Sequence, residues 1–181
     1  MLKHIFILVF LLIFGSLGYS TDLPTDRGNY MVAGGFAYNH DGRIDKTTFI
    51  LDPSFSYFIF SGFSIGLDFL FCNESSNSYY YNYGRASKTY GIGPKFRYYW
   101  ISNPDTEKVK GSVFPYIGAT IHYLIYEKYS NKGIITPEVG INTMISNSAA
   151  IFVEYDYSFH VSQAKPYTSN ALVAGFTYFI K

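Results

Sequence analysis

A single cysteine, Cys72, occurs in 181 residues, so no intramolecular disulfide can form. Charge is sparse and balanced. Lys and Arg number 14 against 13 Asp and Glu, a formal charge of +1, and no basic run offers a footprint for nucleic acid. Histidine is scarce as well: His4, His40, His122 and His160 fall on separate segments without ligand spacing, so no metal is expected. No phosphate-cradling glycine motif appears, and no cofactor is expected. Only one long apolar run exists, residues 5–14, about half of the roughly 20 residues a spanning helix needs. The most informative lack is of charge on one face. Taking every second residue in the apolar stretches after position 27 gives, for example, Phe63, Ile65, Leu67, Phe69 and Phe71, then Tyr90, Ile92, Pro94, Phe96, Tyr98 and Trp100. That register carries no Asp, Glu, Lys or Arg, although these make up 15% of the chain.

What is present is aromatic and alternating. Tyr (19) and Phe (17) lift the aromatic fraction to 20%. The interleaved register holds Asp52, Asp68, Lys95, Arg97, His122, Glu138, Glu154 and Asp156. A soluble sandwich buries its apolar face and dots the outer one with Lys and Glu. Here the apolar face is too long and too aromatic for one small core, and a soluble lipocalin-like barrel would lack the interior for it. The pattern predicts an all-β, eight-stranded antiparallel up-and-down transmembrane barrel, apolar toward lipid and polar toward a lumen.

Residues 1–20 read as a signal peptide: Lys3 and His4 precede the apolar run, and Gly18-Tyr19-Ser20 offers small residues at a cleavage site. A short N-terminal segment, 21–27, then leads into the barrel at 28–181. The expected location is the outer membrane of a Gram-negative cell.

Strands are expected at about 28–39, 47–58, 62–72, 88–100, 113–126, 134–145, 149–159 and 170–181. Connections two and six, residues 59–61 and 146–148, are tight turns, whereas the odd-numbered connections are mostly longer and polar. Short turns inside and long loops outside is the asymmetry of such barrels. The fourth connection, 101–112, breaks it by being long for a periplasmic turn. Pro53 and Pro94 fall inside strands, where a missing N–H breaks a ladder bond, and bulges are expected at both.

Gly91-Ile92-Gly93-Pro94-Lys95-Phe96-Arg97-Tyr98-Tyr99, Phe114-Pro115-Tyr116-Ile117-Gly118 and the closing Gly175-Phe176-Thr177-Tyr178-Phe179-Ile180 resemble the small OmpA/OmpX-like outer-membrane barrels. Pro53-Ser54-Phe55-Ser56-Tyr57-Phe58 and Pro137-Glu138-Val139-Gly140 fit the same pattern. The resemblance covers essentially all of the chain after the signal and specifies fold better than activity. It departs at the end, where Ile180 stands in the outward position that the family fills with an aromatic.

Eight strands enclose an interior that side chains fill, so the lumen charges must be neighbours. Counting across the tight turns sets Asp52 opposite Asp68 and Glu138 opposite Asp156, and a tight fifth connection would set His122 opposite Glu138. Like charges opposed across a sheet destabilise it, so Lys95 and Arg97 are expected to neutralise them in a polar network that largely plugs the lumen. Cys72 faces the same space.

The third connection, with Tyr79, Tyr80, Tyr81, Tyr83 and Arg85 among small polar residues, has a chemistry suited to adaptable recognition. The expected function is therefore structural with an adhesion-like surface-interaction role, in a monomer that is not an enzyme. Its partners would be outer-membrane lipid, lipopolysaccharide and an extracellular protein or surface ligand. Two alternatives stand beside it. His160 and Ser162, two apart in an extended segment, echo the Ser–His–acid site of lipid A deacylases, although no Asp or Glu follows Ser162. The acid-lined lumen could also pass ions or small solutes as a narrow porin-like channel.

Overall fold

A computed structural model describes residues 23–41, 46–76, 87–100, 109–126, 132–161 and 167–181. Eight strands form: β1 (Tyr30–Asp41), β2 (Lys46–Phe60), β3 (Phe63–Ser76), β4 (Ser87–Tyr99), β5 (Val113–Tyr126), β6 (Lys132–Met144), β7 (Ala149–Val161) and β8 (Tyr167–Ile180). Each pairs antiparallel with the next, and β8 pairs with β1 to close a barrel. In lipid a closed sheet is the one β architecture that leaves no backbone group unpaired at an edge. At 12–15 residues each, the strands exceed the roughly 10 that a tilted strand needs to cross the bilayer.

The alternation read from the sequence becomes two surfaces. Leu51, Phe55, Leu67, Ile92, Ile121, Val139, Ile151 and Phe176 stand exposed on the outer wall, while Asp68, Lys95, Arg97 and Glu154 on the interleaved register are buried inside. Aromatic rings gather toward both rims. Tyr30 lies against Phe55 and Tyr57 (centroids 5.6 and 5.0 Å), and Tyr98 meets Trp100 edge-on, all near the end that carries the tight turns. Phe71–Tyr90 and Tyr157–Phe159 mark the opposite rim, toward the long connections. These are the two interfacial girdles of a membrane barrel.

The prolines do not produce the expected bulges. The β1–β2 ladder runs unbroken through Gly34↔Pro53, and β3–β4 through Leu67↔Pro94. On the other side the ladder lapses for two residues. The β2–β3 pairing steps from Leu51↔Phe71 to Ser54↔Asp68, and β4–β5 from Ile92↔Tyr123 to Lys95↔Thr120, with the register kept across both gaps. Pro137 repeats this between β6 and β7. Each residue of an antiparallel strand directs its N–H to one neighbour only, so a proline removes a bond on one side and no residue need be inserted.

The barrel has a floor. Met31, Phe58, Tyr99, Phe114, Tyr116, Met144, Ala150 and Phe179 point inward at the tight-turn end and pack into one buried cluster. Val109, from the long fourth connection, is only 6% exposed and belongs to it, while Ser112 N–H donates to Val109 O (3.0 Å). The end of that connection, from Val109 to Ser112, thus packs under the lumen. The residues before β1 complete the cover. Leu23 packs on the cluster, Gly62 N–H donates to Thr25 O (2.8 Å), Asn29 Nδ2 donates to Leu23 O (2.9 Å), and Leu23 N–H donates to Asp26 Oδ2 (2.9 Å).

Candidate functional site

Above this floor, at mid-barrel, the inward register delivers its charges to one place. All eight residues expected there line the lumen together; seven are buried and Asp156 is partly exposed. Lys95 is the first hub: its Nζ donates to Asp68 Oδ1 (2.9 Å) and lies 3.6 Å from both Asp52 Oδ2 and Glu138 Oε1. Arg97 is the second. Its Nε donates to Glu138 Oε2 (2.8 Å), its Nη2 donates to Glu154 Oε2, and its guanidinium lies 4.6 Å from the centre of the Tyr116 ring. Forked donors suit Arg to joining carboxylates on two strands, and the aromatic face below supplies a cation–π contact. His122 Nε2 meets Asp68 Oδ2 at 2.6 Å.

Two of the opposed pairs differ from the count. Glu138 does face Asp156 across β6–β7. Asp68, however, lies opposite Ser54, not Asp52. Phe60 pairs with Phe63 across a turn of Ser61 and Gly62, where Gly62 takes φ of 82°, and the ladder shifts between Phe58 and Phe60. That two-residue turn with its bulge moves the whole register. His122 faces Ile134, and Glu138 faces Gly118, because the β5–β6 ladder, whose last pair is Leu124↔Lys132, runs in a register four residues off the one that would pair His122 with Glu138. Glu138 and Asp156 thus oppose each other on adjacent strands, while Lys95 meets Asp68 from the neighbouring strand and Arg97 reaches Glu138 and Glu154 from across the lumen.

Several members of the network went unnoticed in the sequence. Tyr116 OH donates to Glu154 Oε2 (2.8 Å) and Thr120 Oγ1 donates to Glu138 Oε1. Nearer the long-connection end, Thr136 and Ser158 hydroxyls bond at 2.9 Å. Tyr116 and Thr120 share the inward register of His122, so the alternation contained them, but uncharged residues carried no mark that distinguished them from wall.

Beyond the charges the lumen widens into a cup of about 650 Å³, floored by Asp52, Asp68, Lys95, His122, Glu138 and Asp156, with Cys72, Glu74 and His160 among its walls. It opens toward the long-connection end. His160 is there, but the structure joins it to a different serine: its Nε2 lies 2.9 Å from Ser169 Oγ on β8. Ser162, the partner expected from spacing, lies outside the described residues, as do Tyr79, Tyr80, Tyr81, Tyr83 and Arg85.

No family model matches the chain, and no curated protein sequence matches it. Solved structures do. Neisserial surface protein A aligns with a TM-score of 0.57 at 15% identity, covering 83% of this chain and 95% of that one. The outer membrane protein OprG from Pseudomonas aeruginosa aligns at 0.53 and 14% identity, covering 88% and 99%. The outer membrane enzyme PagL also aligns, at 0.44 and 13% identity, over 83% and 99%. With its closed wall, lipid-facing apolar band and paired aromatic girdles, the chain has the fold of the small eight-stranded outer-membrane β-barrels, the OmpA/OmpX-like architecture.

Proposed function

We propose that this barrel is a structural and surface-interacting component of the outer membrane that acts through its long-connection end and neither conducts nor catalyses. The observation that carries this reading is the floor: eight barrel side chains, Val109 and the segment from Leu23 fill the tight-turn end of the lumen. A lumen closed there offers no continuous aqueous path, which argues against the channel reading. With the tight turns in the periplasm, the cup and the Tyr-rich third connection, including Tyr79, Tyr80, Tyr81, Tyr83 and Arg85, face outward. Outer-membrane lipid and lipopolysaccharide surround the wall, and an extracellular protein or surface ligand is the partner at the loops. A monomer suffices, since no strand edge is left to pair.

The reading is tested with the refolded barrel and in cells. Planar-bilayer recording is expected to be silent, and replacing residues 77–86 by a two-residue turn is expected to leave assembly intact while abolishing attachment to surfaces. Steady single-channel steps would overturn the closed floor, and unchanged attachment would overturn the loop role. The His160–Ser169 contact joins an imidazole to a hydroxyl, the beginning of a base–nucleophile pair. Release of fatty acid from lipid A, lost in Ser169→Ala, would therefore replace this proposal by a catalytic one.

A further inference from the structure

The mid-lumen network does not balance. Asp52, Asp68, Glu138, Glu154 and Asp156 face two permanent cations, Lys95 and Arg97, and a histidine. Asp68 and Glu138 use both oxygens: Asp68 on Lys95 and His122, Glu138 on Thr120 and Arg97, with Lys95 close by. The other three carboxylates are incompletely met. Asp52 Oδ1, Glu154 Oε1 and Asp156 Oδ1 are enclosed and have no hydrogen-bond partner, although Asp52 is 8% and Glu154 1% exposed. An enclosed anionic oxygen without a partner is costly, and charges buried to this degree are paired or bound to a metal.

These three residues also converge. Asp52 stands on β2, while Glu154 and Asp156 are two apart on one face of β7, so the set forms across the lumen with β1 and β8 between. Each can offer a carboxylate oxygen such that all three lie within 4.8 Å of one another. Oxygens bound to one Ca²⁺ at about 2.4 Å can be at most about 4.8 Å apart, whereas the shorter bonds of Mg²⁺ demand a tighter cage. Asp52 and Asp156 line the floor of the cup, which gives a cation a route from the long-connection end and water to complete its shell.

We infer that Asp52, Glu154 and Asp156 form a divalent-cation site of Ca²⁺ size at the base of the cup. The ion ties β2 to β7 across the closing seam of the barrel and offsets the surplus negative charge. Lys95 keeps its shortest contact to Asp68 (2.9 Å), and the Asp52 oxygen 3.6 Å from its Nζ is Oδ2, not the unpartnered Oδ1.

Terbium provides the probe, since the Tyr116 hydroxyl is bonded to Glu154 and its ring can sensitise a bound lanthanide. The full barrel refolded in detergent at pH 8 is expected to give saturable Tb³⁺ emission that Ca²⁺ displaces. Ca²⁺ is also expected to raise the temperature at which the heat-modified gel band appears, relative to EDTA. Asp156→Asn is expected to weaken Ca²⁺ at least tenfold, and Asp52→Asn with Asp156→Asn to abolish displaceable emission, each in protein whose folded gel band is retained. Glu74→Gln, higher in the cup, keeps wild-type affinity. Non-saturable emission, or an equal loss in Glu74→Gln and Asp156→Asn, would mean general adsorption to the acidic cup and overturn the site.

Discussion

Arg97→Met is expected to destabilise the barrel by about 3–5 kcal/mol, the cost of leaving buried charges without their partner. The guanidinium is 1% exposed at its side chain and holds both Glu138 and Glu154, themselves 2% and 0% exposed, so solvent cannot take its place. Met matches much of its volume, and the packing on Tyr116 and Phe152 is largely kept. The loss therefore reports charge more than cavity. Denaturant titration in detergent micelles measures it directly. Adding Glu138→Gln and Glu154→Gln to Arg97→Met should recover most of the stability, because neutral groups no longer need the counter-charge. A single Arg97→Met with wild-type stability would show that protons or ions already neutralise these carboxylates.

Gly175→Val is expected to cost about 3 kcal/mol, the upper end of the overpacking range, and to appear as failed closure of the barrel. Gly175 faces Gly35 in the β1–β8 ladder, the pairing that joins the two ends of the sheet. That ladder has seven residue pairs, against twelve for β1–β2, so it has least to lose before opening. A Cβ at 175 would meet the carbonyl oxygen of Gly34 and lie 2.7 Å from Phe152 Cε1 and 2.8 Å from the Gly35 Cα. The ring could turn aside; the backbone cannot move without breaking the seam. Gly34→Val is the control. It lies on β1 one position before Gly35, faces outward and has nothing within 4 Å of its Cβ, so the folded gel band should persist. Equal folding yields for the two variants would sink the argument.

The wall was legible residue by residue. Outward Leu67, Ile92 and Phe176 and inward Asp68, Lys95 and Arg97 all stand where alternation put them, since side chains of a strand alternate faces and lipid admits no unpaired charge. The floor was not legible. Phe58, Tyr99, Phe114, Tyr116 and Phe179 lie in the inward register yet are aromatic, and a reading that gives apolar groups to lipid overlooks them. Hydropathy distinguishes buried from wet; it does not distinguish apolar groups packed inside a barrel from those on its membrane face.

By itself the sequence determined the number of strands, the face each presents to lipid and the set of charges that must share one interior. Those follow from a period of two and from the cost of charge in hydrocarbon. Only the tertiary structure decided which charges meet. A single positive-φ residue at Gly62 moved Asp68 opposite Ser54, and closure through Gly35 and Gly175 brought Asp52 of β2 beside Glu154 and Asp156 of β7. Register and closure are properties of the whole sheet, fixed by turns and seams that no local window of residues contains.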